Sequence, residues 1–365
     1  MRSGSGAGET MARILWLSVE TPDRKGQGGQ RRQFHQIREL ARLGHDITVL
    51  SPLSEQDDSS LRGIARVARP RLYLGPLAIP GRFDALRRRA LSDEWDRIVV
   101  SHAESVGLLP PETPTAPVLI DLHNVMSAWH VRRGQHNESK AWTAREQQAL
   151  DRADAVTTCS AEERRRLIAQ HPDVHIPVIV APLGVDPEEW PDQSWDRSEP
   201  IVAMFGSWGW HPNQAGLEWF RTRVWPSVQE RMPTARTLVA GSGVTDAADW
   251  PTGMEYVGRV DDLAAFTAQA TVVAVPVFDG VGAAVKFAES LATGASVIAT
   301  SDGANAFDDS PALVSDDAQE WADLIVDRLT SRADATPPDG SRTTALRGLT
   351  WADSIAPLDT WLSSG

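Results

Sequence analysis

"TVVAVPVFDGVGAAVKFAESLATGASVIAT" occupies Thr271–Thr300. Its two ends are short apolar runs rich in β-branched residues, which read as buried strands. Between them lie Gly280 and Gly282, and then a segment whose apolar residues recur at helical spacing, with a helix expected from about Ala283. A strand, a glycine turn, a helix and a second strand make a βαβ unit, so the two strands run parallel. One residue of the stretch stands out. Lys286 is the only lysine after Lys140, and it falls in the helix's first turn, where the macrodipole disfavours a cation unless something negative is bound there. Two readings fit: a phosphate held by Lys286 and the amides of Gly282, Ala283 and Ala284, or a solvent-facing lysine beside glycines that only shape a turn. Glu289 shares the lysine's face at i+3. It can pair with Lys286, the simpler reading from spacing, or accept from a ribose diol.

The same alternation extends outward in both directions. In the second half, strands are expected at "PIVAMFGS", "ARTLVAGSG", "MEYVGRV" and "ASVIAT", with a helix after Asn213 and another at Asp262–Ala270. In the first half they are expected at Arg13–Ser18, "HDITVLS", Arg97–Ser101, Pro117–Leu122 and Asp154–Ser160. Helices are expected from about Arg31 to Leu43, at Lys140–Arg152 and at Ala161–Ala169. The pattern breaks only at "PEEWPDQSWDRSEP", where proline and charge concentrate. The expected organisation is an α/β chain of two doubly wound, parallel-sheet, Rossmann-like domains. A flexible leader covers 1–11, the first domain 12–188, a linker 189–199 and the second domain 200–345. A C-terminal helix in 346–365, tied down by Trp351, Trp361 and Leu362, is expected to pack back toward the first domain.

Bulk properties agree. At 365 residues the chain exceeds one comfortable core. Its net charge of −13 is unevenly divided, at +3 for residues 1–180 and −16 for the remainder. An acidic second half argues against nucleic acid as a main partner. A single cysteine, Cys159, excludes an intrachain disulfide and suits a reducing, cytoplasmic setting. No stretch approaches the roughly 20 apolar residues of a membrane span, and "MRSGSGAGET" lacks a signal peptide's apolar core. The basic amphipathic segment Gly81–Trp95 reads as a solvated helix face, with weak peripheral contact to anionic lipid as the alternative. No metal-binding pattern is visible: no Asp-x-Asp at a strand end, no paired cysteines and no His-Glu-x-x-His.

Parallel sheets bind ligands outside the carboxyl ends of their strands, so two such domains in series are expected to face a cleft lined by the loops there. "GQGGQ" places Gly28 and Gly29 after the first strand, suited to close approach by phosphate. "DLHN" puts His123 at the end of a strand. "FGSWGWHPN" brings Gly206 and Ser207 to a strand end, with Asn213 as N-cap of a helix from Gln214 and Trp208 and Trp210 either walling the cleft or packing. His45 sits at a helix-to-strand turn and is assigned no chemistry.

In order along the chain, "GGQRRQFHQIRELARLGHDITVLS", "DLHN", "APLGVD", "FGSWGWHPN", "LVAGSG", "YVGRV" and "VPVFDGVGAAVKFAESLATGASVIAT" resemble the retaining glycosyltransferases of family 4. The resemblance runs from about Arg13 to Trp361. It implies a GT-B fold, a nucleotide-sugar donor (UDP- or GDP-linked) held mainly by the second domain, and a glycan, lipid-linked or small-molecule acceptor held by the first. It also implies retention at the anomeric carbon, with no cofactor and no obligatory metal. Glu289 matches the ribose-binding glutamate, and Gly28 and Gly29 the glycines near the donor phosphates. Gly206 and Ser207 match the first donor-domain loop, His123 the histidine near the transferred sugar, and Val257–Arg259 the loop at the base. The catalytic pair is expected to be His123 and Lys286. Two features depart from the family. Val281 stands where the first of two glutamates eight positions apart is usual, with Asp279 as a stand-in for contact to the donor sugar. The usual Arg…Lys pair after the first donor-domain strand is replaced by "SWGWHPN". The chain is closer to a subgroup with W-x-P-N and G-x-G-x-x-x-K-x-x-E, in which Lys286 takes over phosphate neutralisation. The departures leave two alternatives open, an inactive GT-B-like partner or scaffold and a nucleotide-sugar epimerase.

Overall fold

A computed structural model describes residues 11–51, 59–68, 81–190, 199–245, 249–280, 285–305, 310–331 and 348–364. The chain divides into two compact units, Met1–Pro182 with Trp351–Gly365, and Leu183–Thr350.

The first unit runs β1 (Arg13–Ser18), α1 (Gly28–Arg42), β2 (Asp46–Leu50), β3 (Arg66–Val67), α2 (Arg82–Leu91), β4 (Arg97–Ser101), β5 (Val118–Leu122), α3 (Met126–Arg132), α4 (His136–Leu150), β6 (Ala155–Thr158), α5 (Ala161–Gln170) and β7 (Val178–Val180). Its seven strands are ordered β3-β2-β1-β4-β5-β6-β7, and every pairing is parallel. Successive side chains of a strand face opposite sides of the sheet. In β1 this sends Leu15 and Leu17 to one apolar cluster and Ile14 and Trp16 to another. Both faces are covered, so the strand reads as an unbroken apolar run rather than an alternating one.

The second unit runs β8 (Ile201–Ser207), α6 (His211–Trp219), α7 (Trp225–Arg231), β9 (Arg236–Ser242), β10 (Met254–Gly258), α8 (Leu263–Ala268), β11 (Val272–Val275), α9 (Val285–Ala292), β12 (Ser296–Ala299), α10 (Ser301–Ala304), β13 (Leu313–Val314) and α11 (Ala318–Thr330). Its six strands lie in the order β10-β9-β8-β11-β12-β13, also all parallel. Val202, Met204, Val239, Val272 and Ile298 pack on one face against Trp225 of α7 and Trp321 and Ile325 of α11. Helix α6 crosses the end of β11 so closely that a Cβ on Gly216 would stand 1.8 Å from the Pro276 carbonyl oxygen. Only glycine fits there.

The last helix, α12 (Trp351–Ser363), belongs to the first unit. Ile355, Leu358 and Leu362 join the cluster that α1 builds with Phe34, Ile37 and Leu40. His45, held between the Ala12 amide (3.0 Å) and Asp359 (2.7 Å), ties β2's start to this helix. Helix α2 buries Leu86 and Ala90 in the core and leaves Arg88 and Arg89 exposed. No described helix is long and apolar enough to cross a membrane.

Two local expectations are corrected. Helix α1 begins at Gly28, three residues before Arg31, because Gln30 folds back to accept from the Gln27 amide (3.1 Å) and closes a cap around the glycine pair. Gly28 and Gly29 are therefore the first helical residues rather than a turn. Asn213 is not an N-cap, since α6 starts at His211 with Trp210 as its cap. Its side chain instead donates to the Ser207 carbonyl at 2.8 Å.

Candidate active site

In each sheet the strand order reverses at one point, between β1 and β4 in the first unit and between β8 and β11 in the second. Ligands of doubly wound sheets bind beyond the strand ends at such points. Both reversals carry polar residues that their surroundings leave chemically available.

In the second unit, β8 ends on Gly206 and Ser207, and the Asn213 bond fastens the first turn of α6 to that strand end. Trp208 does not wall a cavity. It is 1 % exposed and its indole donates to the Ala240 carbonyl at 2.9 Å, whereas Trp210 is exposed. Lys286, on α9, has a partly exposed stem and an enclosed Nζ. That Nζ stands 3.7 Å from where a Cβ on Gly206 would be and 5.4 Å from the centre of the Trp208 ring. Among the described residues it has no hydrogen-bond partner, so the simple pairing with Glu289 is not formed. Burial pulls its pKa from 10.5 to about 7. An enclosed amine without a partner is costly, and an anion beside Gly206 would remove the cost. Glu289 itself is buried on the same helix.

The loop after β11 is anchored from its neighbour. Thr300 accepts from the Val277 amide (3.0 Å) and donates to the Val277 carbonyl (2.6 Å), and Asp302 accepts from the Gly280 amide at 3.3 Å. Within this loop Asp279 is exposed and holds a φ of 54°. A non-glycine residue in the left-handed region carries strain that the anchors must sustain. Val257 is half-buried and Arg259 exposed at the end of β10, two strands away from β8. Gly282, Ala283 and Ala284, expected to offer helix amides, lie outside the described residues, as does Val281.

In the first unit, His123 directly follows β5 and is 5 % exposed. Its Nε2 meets Asp121 Oδ2 at 3.2 Å and Ser101 Oγ at 2.9 Å, while its Nδ1 is buried without a hydrogen-bond partner among the described residues. Asp121 is fully enclosed. Arg32 of α1 grips it with Nε on Oδ2 (3.3 Å) and Nη2 on Oδ1 (2.9 Å), and Thr157 donates to Oδ1 at 2.5 Å. Burial alone would raise the Asp121 pKa, but the charge of Arg32, followed by that of His123, holds it well below the usual carboxylate range. For His123 the balance goes the other way. Burial, with the charge of His102, outweighs Asp121 and lowers its pKa to about 4.

Sequence reasoning missed His102. It follows β4 just as His123 follows β5, so the strand-end rule that singled out one histidine applied equally to the other. The two rings lie 3.6 Å apart between centres. His102 has a φ of 68°, and its Nε2 is 3.5 Å from Glu20 Oε2 and 3.4 Å from Gln33 Nε2. The His102 hydrogen bond draws the Glu20 pKa down. A Cβ on Gly29 would sit 3.0 Å from His102 Cε1 and 3.1 Å from His123 Nδ1. The first turn of α1 is thus pressed against both imidazoles, and the glycine is there for that approach. A small cavity of about 80 Å³ beside them is lined by His102, Glu104, His123, Asn124, Met126 and Trp142. A larger open groove of about 460 Å³ between α4 and the end of α5, lined by Lys140, Gln147, His171 and Asp173, contains no residue of either site. Among the described residues no group of three His, Cys, Asp or Glu side chains is arranged to hold a metal ion.

Comparison with known proteins bears on the family and the fold. Residues 26–189 match the family described as Glycosyltransferase Family 4, and residues 199–331 match that described as Glycosyl transferases group 1. No curated protein sequence matches the chain. Among solved structures, sucrose-phosphate synthase from Thermosynechococcus elongatus superposes with a TM-score of 0.72 at 17 % identity, over 96 % of this chain and 98 % of that one. HepE from Anabaena, solved with UDP, gives 0.69 at 14 % identity over 97 % and 100 %. An α,α-trehalose-phosphate synthase from Burkholderia xenovorans, solved with glucose-6-phosphate, gives 0.66 at 13 % over 96 % and 100 %. At these identities the likeness establishes the fold.

Proposed function

The chain belongs to the GT-B glycosyltransferases, with a family 4 domain followed by a group 1 domain, and from that premise we propose that it transfers a sugar, with retention and without an obligatory metal or cofactor, from a UDP- or GDP-sugar to a glycan, lipid-linked or small-molecule acceptor. The observation that carries this reading is the buried, unpartnered Lys286 amine at the β8–β11 reversal. It supplies the positive charge that a donor diphosphate requires, in the unit where the usual Arg…Lys pair is absent. HepE, of the same fold, was also solved with UDP-glucose, which favours a nucleotide-sugar donor here.

In this reading the diphosphate lies against Gly206 and Ser207 with Lys286 on its oxygens, and Glu289 takes the ribose hydroxyls. Val257 and Arg259 lie toward the base, and Asp279 toward the donor sugar. His123 is assigned to the transferred sugar, and the amides of Gly28 and Gly29 to the donor phosphates. As the bond from the anomeric carbon to the phosphate oxygen breaks, negative charge grows on the leaving diphosphate and Lys286 stabilises it. The acceptor oxygen bonds to the anomeric carbon on the same face, and its proton passes to the leaving phosphate oxygen. The acceptor is a hydroxyl-bearing molecule held by the first unit, and contact of α2 with anionic lipid is one way a lipid-linked acceptor would be brought near. A thermal-shift screen against UDP, GDP and their sugars tests the reading, because a ligand that binds only the native state raises its melting point. At least one nucleotide is expected to stabilise the protein. Indifference to the whole panel would refute it.

A further inference from the structure

The first unit's site contains a row of ionisable side chains. Glu20 lies 3.5 Å from His102, the His102 and His123 rings are 3.6 Å apart between centres at a tilt of 42°, His123 Nε2 is 3.2 Å from Asp121, and Asp121 is gripped by Arg32. Arg32, 1 % exposed in the second turn of α1, is committed to this row. A buried carboxylate next to an imidazole favours the imidazolium, as an opposite charge within a few ångströms does. Asp121 by itself would therefore tend to place a second proton on His123. Both of its oxygens, however, are held by the guanidinium fork, with Thr157 on one of them.

We propose that Arg32 is a positioning residue that acts through Asp121 to keep His123 neutral and in the Nε2–H tautomer, leaving Nδ1 as a bare acceptor against Gly29. The fork makes the Arg32–Asp121 pair neutral as a whole and leaves Oδ2 3.2 Å from His123 Nε2, the atom that also meets Ser101 Oγ at 2.9 Å. The carboxylate is ionised, so Nε2 carries the hydrogen and donates. Nδ1 is then the ring's only lone pair, and it is the atom that lies buried without a partner.

The other groups around the ring oppose or do not compensate a second proton. Arg32 from α1 and His102 after β4 would repel it. Ser101 is a neutral hydroxyl, and Cys159, after β6, donates its thiol to the His123 carbonyl at 3.1 Å. Glu20, after β1, is engaged with His102. A bare imidazole nitrogen accepts a hydrogen bond and repels an anion. A group that meets this atom is therefore a hydrogen-bond donor and not an anion. The inference rests on His123 being a site residue, as in the reading above. Its test uses ligand-free protein, so failure of nucleotide binding and failure of this inference are separately visible.

The experiment is a long-range ¹H–¹⁵N correlation spectrum of the imidazoles across pH, assigned by a His123→Asn control. Wild-type protein is expected to show His123 as the neutral Nε2–H tautomer from neutral pH down to about 5. In Arg32→Gln the midpoint should rise, with at least a threefold gain in proton affinity. If that variant does not fold, Arg32→Lys decides. An ammonium cannot span both carboxylate oxygens as the fork does, so the midpoint should still rise, by less. A wild-type His123 bearing its hydrogen on Nδ1 overturns the inference outright. So does a folded Arg32 variant in which tautomer and midpoint are unchanged.

Discussion

Replacing Lys286 by methionine should make the protein more stable and unable to respond to nucleotide. Burial lowers the lysine's pKa from 10.5 to about 7, a difference of 3.5 pH units, which at ~1.4 kcal/mol per unit amounts to roughly 5 kcal/mol. That is the upper limit of what the second unit forgoes at neutral pH by enclosing the amine, since local relaxation returns part of it. The sign follows from linkage. Between pH 7 and 10.5 the unfolded chain binds a proton at this position that the folded chain does not, so native stability falls as pH drops through this window. Below about pH 7 the loss is constant. Lys286→Met removes the ionisable group and keeps a flexible apolar stem of similar length. With about half the limit realised, the variant gains roughly 2–3 kcal/mol at pH 7, or about 5–10 °C in Tm for a domain of this size, and the gain disappears toward pH 10.5. Differential scanning calorimetry at pH 6, 7.5 and 9.5, with and without UDP and GDP, reads both effects. A destabilised variant, or a stabilised one that keeps the wild-type nucleotide shift, would refute the reasoning.

Other consequences follow from the first unit. Gly29→Ala drives a methyl to 3.0–3.1 Å from the two imidazoles, where neighbours must shift, at about 1–3 kcal/mol offset in part by better helix propensity. Transfer activity should fall at least tenfold and the His123 ring signals should move, whereas a silent variant would remove α1 from the site. His35 is buried with both ring nitrogens unpartnered, stacks on Trp351 at 4.8 Å, and is held neutral with a pKa of about 2, chiefly by burial and next by Arg38. Its folded pKa lies below its unfolded value of 6.5, so stability is retained above pH 6.5 and lost on acidification, by up to about 1.4 kcal/mol per pH unit. In urea titrations His35→Phe should keep the stack and flatten this acid slope between pH 6.5 and 4, and an unchanged slope would contradict the assignment.

Much of the fold was legible because a parallel sheet covered on both faces writes its strands as short continuous apolar runs. Arg13–Ser18 and Arg97–Ser101 are strands with the very bounds the sequence suggested. Helix starts were harder to read where the cap is unusual. Glycine at the opening of α1 looks like a turn until Gln30 is seen to close back on Gln27, and Asn213 looks like a cap until its amide is seen bonded to Ser207. Lys286 and Glu289 share a helical face, and spacing cannot tell that the amine turns toward Gly206 and Trp208 instead. His102 could have been found by applying the strand-end rule evenly. The Arg32–Asp121 grip could not, because it joins residues 89 positions apart and only tertiary structure brings them together.

The most direct measurement is calorimetric titration of UDP and GDP at pH 6 and pH 8, each in two buffers of different ionisation enthalpy. If a diphosphate docks on the Lys286 amine, binding should be accompanied by uptake of about 0.9 proton at pH 8 and close to none from the lysine at pH 6. The uptake should be absent in Lys286→Met. Binding of neither nucleotide, or binding at pH 8 with no proton taken up, would contradict the assignment of this amine to a sugar-nucleotide diphosphate.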